Sequence, residues 1–325
     1  MKRVGKAIVD VVLGVREMGV LIPLAIAMVI FSSNPIFMSR DNIINILRNT
    51  SFVFITAIGM TYMIVSGAFD LSVGAVYAFA GVMCGKLMME AGFPVWLAIL
   101  AATSLTGLAF GGVNGFFVHK VGLPPMLATL ATMNIARGIV TGIQQGNPVY
   151  PLPEGFAAIG QGSLFKGSSF ELPFVVLIAV SLGVLSAWAL KKTVYGRAIC
   201  AIGGNIETAR LAGISTKSIS ISVFILVSAL ASFSGILISS RLGSAQPNVG
   251  VGYEMQTIAA VVIGGTSLQG GRGTIIGTAL GALFMTTVAN GMTLIRISPF
   301  WQQLVLGVVL LAACSMDYVR NQFRK

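Results

Sequence analysis

Ten apolar stretches divide this chain, at residues 19–37, 51–65, 71–89, 95–118, 126–143, 172–190, 219–238, 256–265, 274–294 and 299–316. Crossing about 30 Å of hydrocarbon takes roughly 20 predominantly apolar residues in a helix. Most of the ten approach that length, and 256–265 falls well short. Inside a bilayer a segment must satisfy its own backbone groups, which helices do and irregular chain does not. The expectation is an all-α polytopic membrane protein with about ten transmembrane helices in a single domain over residues 1–325. Composition agrees: 55% of residues are hydrophobic and 10% charged, against about a quarter charged in soluble domains.

A net charge of +11 would suit nucleic-acid binding if it were gathered on a folded surface. Here the excess sits in termini and loops between apolar blocks, as the positive-inside bias produces, so no nucleic acid is expected as a partner. With the N-terminus inside, one side receives Lys2, Arg3, Lys6, Arg16, Lys120, Lys191, Lys192, Arg197, Arg210, Lys217, Arg272, Arg320, Arg324 and Lys325, against Arg40, Arg48, Lys166, Arg241 and Arg296 on the other. That predicts cytoplasmic termini and a cytoplasmic segment at 191–218. The assignment depends on 256–265 crossing; otherwise the last three positions invert.

Several chemistries are excluded. The chain has no Gly-x-x-x-x-Gly-Lys-Ser/Thr loop to cradle nucleotide phosphates. Cys84, Cys200 and Cys314 are isolated, and His119 is the single histidine. Neither a disulfide framework nor a metal site follows, and no nucleophile has a plausible base partner. The chain is expected to be no enzyme and to bind no cofactor itself.

Polar side chains within apolar stretches cost a few kcal/mol at the bilayer centre, so they face protein or a water-filled path. Asp70, Asn114, Asn134 and Asn290 are the candidates for a translocation path; Arg137 is a further polar residue of this kind. Asp70 either caps the following helix or meets a solute, and both readings stay open. The three asparagines suit hydrogen bonding to a polyol, and equally bonding between helices. Gly107, Gly111, Gly112 and Gly115, and Gly273, Gly277 and Gly281, let helix backbones approach closely, with packing inside the chain favoured over a dimer seam.

Residues 191–218 are neither span nor tail. Asn205 suits an N-cap, Glu207 puts negative charge in the first turn, and Gly213 suits a left-handed C-terminal position. These define a helix of about two turns with Ile206, Ala209 and Ala212 on one apolar face. It reads as a handle by which a partner moves the protein, or as an ordinary surface helix in a basic loop. The loop at 144–171, with Pro148, Pro151 and Pro153, suits an ordered irregular connection or a short lateral helix.

In Ala57-Ile58-Gly59-Met60-Thr61, Asp70-Leu71-Ser72-Val73-Gly74, Gly196-Arg197, residues 201–205 and 209–214, Ser244-Ala245-Gln246-Pro247, and the run at 258–271, the chain resembles the membrane permease subunits of ribose-type bacterial ABC importers. The resemblance covers nearly the whole length and is weaker at 1–18 and 148–171. It implies a type II ABC importer-like fold in the bacterial inner membrane and a pair of permeases, identical or sister chains. It further implies a cytoplasmic ATPase that binds ATP and Mg, and a periplasmic or lipid-anchored substrate-binding protein. The solute would be a monosaccharide such as ribose or galactose. The resemblance makes 205–211 the coupling helix, with Gly203, Gly204, Asn205, Glu207, Arg210 and Gly213 serving docking to the ATPase. The alternatives are an ion-coupled secondary carrier, and an ABC permease for nucleosides or a furanosyl signal molecule.

Overall fold

The computed structural model describes residues 18–167 and 171–322. The basic clusters at Lys2, Arg3, Lys6 and Arg16, and at Arg324 and Lys325, lie outside them. Thirteen helices are found there: α1 (Met18–Phe31), α2 (Arg40–Val65), α3 (Val73–Met89), α4 (Val95–Val121), α5 (Pro125–Gln144), α6 (Glu154–Gln161), α7 (Phe174–Lys192), α8 (Val194–Gly204), α9 (Ile206–Leu211), α10 (Thr216–Leu242), α11 (Tyr253–Ile263), α12 (Ile275–Leu294) and α13 (Pro299–Gln322). A two-stranded antiparallel hairpin, β1 (Ser163–Leu164) and β2 (Leu172–Pro173), pairs Ser163 with Pro173.

Six helices are long and apolar enough to cross a membrane: α2, α4, α5, α7, α10 and α12. Shorter apolar helices occupy Gly19–Phe31, Val73–Met89, Tyr253–Ile263 and Phe300–Ser315. Each of the ten apolar stretches thus lies on a helix. The largest boundary difference is at the stretch expected at 51–65, whose helix begins at Arg40, because the Ser39 side chain accepts from the Asn42 N–H and Asp41 adds negative charge to the first turn; the first stretch, expected to 37, is helical only to Phe31. The polar residues 40–50 hid that extension.

The bundle has two ends, one carrying the β-hairpin and the other carrying α8 and α9. α2 and α12 run antiparallel between them, joined by Asn42–Asn290, Thr50–Thr286 (2.5 Å) and Thr61–Thr278 (2.7 Å). α10 is the hub against which α2, α3, α4 and α6 pack. Its contacts are close: the Ser234 hydroxyl donates to the Phe52 carbonyl at 2.7 Å, and Ser240 donates to the Phe156 carbonyl. α4 meets α10 through Gly107, Gly111 and Gly115, which face Ala229, Ile225 and Ile221 in turn. Two wide π-helical turns, Gly107–Gly111 and Phe117–Val121, interrupt α4. Packing within the chain is therefore what these three glycines serve, as expected.

The short eighth stretch is resolved by its neighbours. α11 has 11 residues, about 16 Å at 1.5 Å per residue, too short to cross alone. The Gly243 carbonyl accepts from Leu152 at the hairpin end, while Gly271 donates to the Val65 carbonyl at the other. The chain from 243 to 274 therefore runs from one end to the other, helical only in its middle. Irregular backbone at such depth is tolerated where protein satisfies it. Arg137 does so, donating to the carbonyls of Pro247 (2.7 Å), Val249 (2.9 Å) and Gly74 (3.2 Å).

The 144–173 connection contains the short lateral helix, α6, with Phe156 buried. Glu171 ties the hairpin to α2 through Arg40 (3.2 Å) and Arg48 (3.4 Å). Hydrogen bonding from Ser163, then from the Gly167 N–H, and the two arginines hold its carboxyl below the ordinary range. A depressed folded-state pKa makes this clasp fully present above the unfolded value, about 4.3, and lost as pH falls through the folded one. Protection factors in the hairpin, which remove the intrinsic pH dependence of amide exchange, are expected to fall on acidification only below that range, and this fall should vanish in Glu171→Gln.

Candidate translocation cavity and handle

A cavity of about 370 Å³ opens between α2, α3, α10, α11 and α12, within the size range that holds small ligands. α2 contributes Asn45, Asn49, Phe52 and Val53; α12 contributes Thr286, Asn290 and Thr293; Tyr77, Tyr253 and Gln256 complete its polar and aromatic lining. The rings of Tyr77 and Tyr253 lie 4.5 Å apart. Among the described residues, no Asp, Glu, Lys, Arg or His lines it. Amides, hydroxyls and aromatic faces together suit a neutral, hydroxyl-rich solute: the polar groups meet hydroxyls, and the rings cover C–H surfaces.

Of the four polar residues nominated from sequence, Asn290 alone lines this cavity. Its amide exchanges two hydrogen bonds with Asn42, at 2.8 and 3.0 Å. Asp70 and Asn114 are fully buried elsewhere, in one chain of bonds. Thr132 donates to Asn114 (2.7 Å), Asn114 donates to the Ser72 hydroxyl (3.1 Å), and Ser72 donates its hydroxyl (2.5 Å) and N–H (2.8 Å) to one Asp70 oxygen. Ser72, not Asp70, occupies the N-cap of α3, so Asp70 organises the approach to that helix from two residues upstream. Its second oxygen has no partner among the described residues. Asn134 is exposed on α5, where its amide donates to the Leu130 carbonyl of its own helix at 3.0 Å. Sequence reasoning missed Asn45 and Asn49. The available signal was Asn42, Asn45 and Asn49 at spacings of three and four, which aligns them on one helix face.

The handle is more helical than the sequence suggested. Residues 194–204, within the expected 191–218 but with no helix expected there, form α8, with Thr193 at its N-cap accepting from the Gly196 N–H. α8 is held to α10 by Tyr195 and Ser222 (2.8 Å) and stacks Tyr195 on Tyr62 of α2. α9 follows as expected. The Asn205 side chain accepts from the Thr208 N–H at 2.9 Å, and Gly213 has φ +80°. Gly213 and Ile214 donate to the carbonyls of Arg210 and Ala209, the paired bonds of a Schellman ending. Glu207 and Arg210 pair at 2.8 Å with both side chains about two-thirds exposed (65% and 68%). Such a pair contributes at most about 0.5 kcal/mol to a helix, leaving both groups accessible.

On the expected apolar face of Ile206, Ala209 and Ala212, only Ala209 is buried within the chain, while Ile206 and, beside it, Leu211 stand 48% and 86% exposed. Six residues turn too few times to bury a whole face against α10.

Where α8 ends, three backbones meet. A Cβ on Gly203 would lie 1.8 Å from the Val65 carbonyl oxygen and 2.7 Å from the Gly271 nitrogen. The Gly271 N–H donates to that same carbonyl at 2.8 Å. Gly270 and Gly271 lie in the tight turn between α11 and α12, with φ +81° and +72°, and Arg272 beside them is exposed. The handle therefore touches the end of α2 and the α11–α12 turn at one point, and all three of those helices line the cavity.

Comparison with known proteins adds the lineage. Residues 42–314 match the family described as "Branched-chain amino acid transport system / permease component". The ribose import permease protein RbsC of Bacillus subtilis (strain 168) is 39% identical over 305 residues, 93% of this chain and 92% of the relative. The ribose permease of Escherichia coli (strain K12) is 39% identical over 302 residues, 91% and 92% of the two chains. The xylose transport system permease protein XylH of Haemophilus influenzae is 33% identical over 355 residues, 91% and 94%. No solved structure matches. Matched over most of its length by the family model and by these relatives, the chain belongs to this family of transport-system permease components.

Proposed function

We propose that this chain is the membrane permease of an ATP-driven importer for a pentose or a related monosaccharide. The observation that carries the reading is the cavity: about 370 Å³, uncharged, and lined by amides, hydroxyls and aromatic rings. The ribose and xylose permeases among its relatives support the solute class. All ten apolar stretches cross the bacterial inner membrane in this reading, the eighth by α11 together with the irregular chain on either side of it, with both termini and α8–α9 in the cytoplasm. Two permease chains pair, a substrate-binding protein delivers the sugar at the hairpin end, and a cytoplasmic ATPase supplies ATP and Mg chemistry.

α9 is the coupling helix, and Asn205, Glu207, Arg210 and Gly213 form and present it. Its support is the exposure of Ile206, Leu211, Glu207 and Arg210, a mixed apolar and charged surface of the kind that docks in a groove. Gly203 and Gly204 join it to α8. In the cavity Asn290 belongs to the sugar path, whereas Asp70 and Asn114 hold its walls. Asn134, on the outer face of α5, belongs to the path only if the second permease covers that face.

Mild-detergent purification from the native host should bring down an ATPase. Glu207→Ala with Arg210→Ala should then lower uptake at least several-fold while the chain still inserts at normal level. Uptake equal to wild type in the double variant would remove the coupling assignment, and purification without any ATPase would remove the importer reading.

A further inference from the structure

Arg241 ends α10 and does not line the cavity, yet it sets what the cavity offers. Its two terminal nitrogens reach the side-chain oxygens of Asn49 and Asn45, each at 2.5 Å, and its guanidinium lies over the Phe52 ring, 5.7 Å from the centroid. A guanidinium carries N–H donors and no acceptor, so the oxygen of any amide bonded to it must face it. Asn45 and Asn49 lie one helical turn apart on α2 and both line the cavity. With their oxygens turned to Arg241, their NH2 groups are left for the cavity, and among the described residues neither has a hydrogen-bond partner.

We infer that Arg241 turns Asn45 and Asn49 into a wall of N–H donors that grips the hydroxyl and ring oxygens of a neutral, polyhydroxylated solute. Arg241 is the positioning residue, and the two asparagines make the contact. This rests on the cavity being the sugar path proposed above, and it adds the direction of the hydrogen bonds. The protein donates from α2, so oxygens on that side of the solute accept. The amides of Asn45 and Asn49 are neutral and leave the charge of Arg241 uncompensated, so the wall selects by the direction of the hydrogen bonds and not by excluding charge.

Aspartate separates this role from a structural one. Asn45→Asp or Asn49→Asp keeps the shape and the bond to Arg241, now charge-assisted and stronger, but replaces the NH2 donor by an acceptor. If the asparagines only tie α2 to α10, these variants should melt and bind as wild type or better. If they are the donor wall, each should assemble normally with the ATPase and lose sugar binding at least about tenfold. Arg241→Met should lose a similar amount by freeing both amides to turn, and Arg241→Lys should recover part.

The measurement is equilibrium dialysis of radiolabelled D-ribose against the permease–ATPase complex in lipid nanodiscs, without binding protein. Saturable ribose retention, weakened in both aspartate variants, is the expected result. Wild-type retention in the aspartate variants would overturn the inference, as would a complex that transports ribose but retains none. Failure to obtain any complex with an ATPase would instead strike the importer reading.

Discussion

Gly203→Val is expected to stop solute uptake while the assembled transporter continues to hydrolyse ATP. The Cβ alone would sit 1.8 Å from the Val65 carbonyl oxygen, less than any real carbon–oxygen contact, and the two further methyl groups of valine have no space at all. Relief must come from moving α8 off the end of α2 and off the α11–α12 turn, whose Gly271 nitrogen lies 2.7 Å from the same Cβ position. α9 lies beyond this contact and keeps its Asn205 cap and Schellman ending, so under the proposed coupling role docking to the ATPase survives. What is lost, on that proposal, is the touch through which the handle would move α2, α11 and α12, the helices around the cavity. Uptake should fall more than about tenfold with ATPase activity within about twofold of wild type, a separation of the two worth at least about 1 kcal/mol. Gly204→Ala is the control, since nothing lies within 4 Å of a Cβ there, and it should transport normally. Parallel loss of hydrolysis and uptake in Gly203→Val would mean that the contact only supports the fold.

The second large effect is on stability. Arg137→Leu should destabilise the chain by roughly 3 kcal/mol, because the Pro247 and Val249 carbonyls that Arg137 satisfies are left with no donor, while the Gly74 carbonyl falls back on its own helix. The segment from 243 to 252 then loses its anchor to α3, and Tyr253 its position against Tyr77. Thermal unfolding in detergent should come several degrees earlier, and Arg137→Lys should recover only part, since an ammonium is a compact charge without the planar fork of a guanidinium. A melting curve unchanged in Arg137→Leu would show that water, not Arg137, satisfies this stretch of backbone.

Much of the architecture was readable because membrane helices announce themselves by composition over long windows. Asn205, Glu207 and Gly213 gave away α9 because cap chemistry is local. The start of α2 was not readable by hydropathy: polar residues interrupt Ile43, Ile44, Ile46 and Leu47 in 40–50, and the signals that do mark it, the Ser39 cap and Asp41, are too local to register in a long window. α8 escaped for a related reason, being a helix of 11 residues held by contacts with α2 and α10. The site suffered most. Asp70 and Asn114 attracted notice as lone polar groups among apolar ones, but burial with a partner satisfies such a group as well as a solute does. Asn45 and Asn49 went unnoticed because they stand in a polar stretch, where a cavity-facing amide looks like any solvated one.

The two wide turns of α4 have a geometric consequence for its seam with α10. In a regular α-helix each residue turns about 100°, so a step of four overshoots a full circle by about 40° and a line of residues at that spacing spirals away from its neighbour. A turn closed five residues back winds less per residue, and one such turn falls between Gly107 and Gly111. α4 thereby acts as a straightened ruler, holding Gly107, Gly111 and Gly115 in register with Ala229, Ile225 and Ile221 without the supercoil that two regular helices would need. Deleting one residue within 107–111 would restore ordinary winding, and the three marks would no longer lie along one edge.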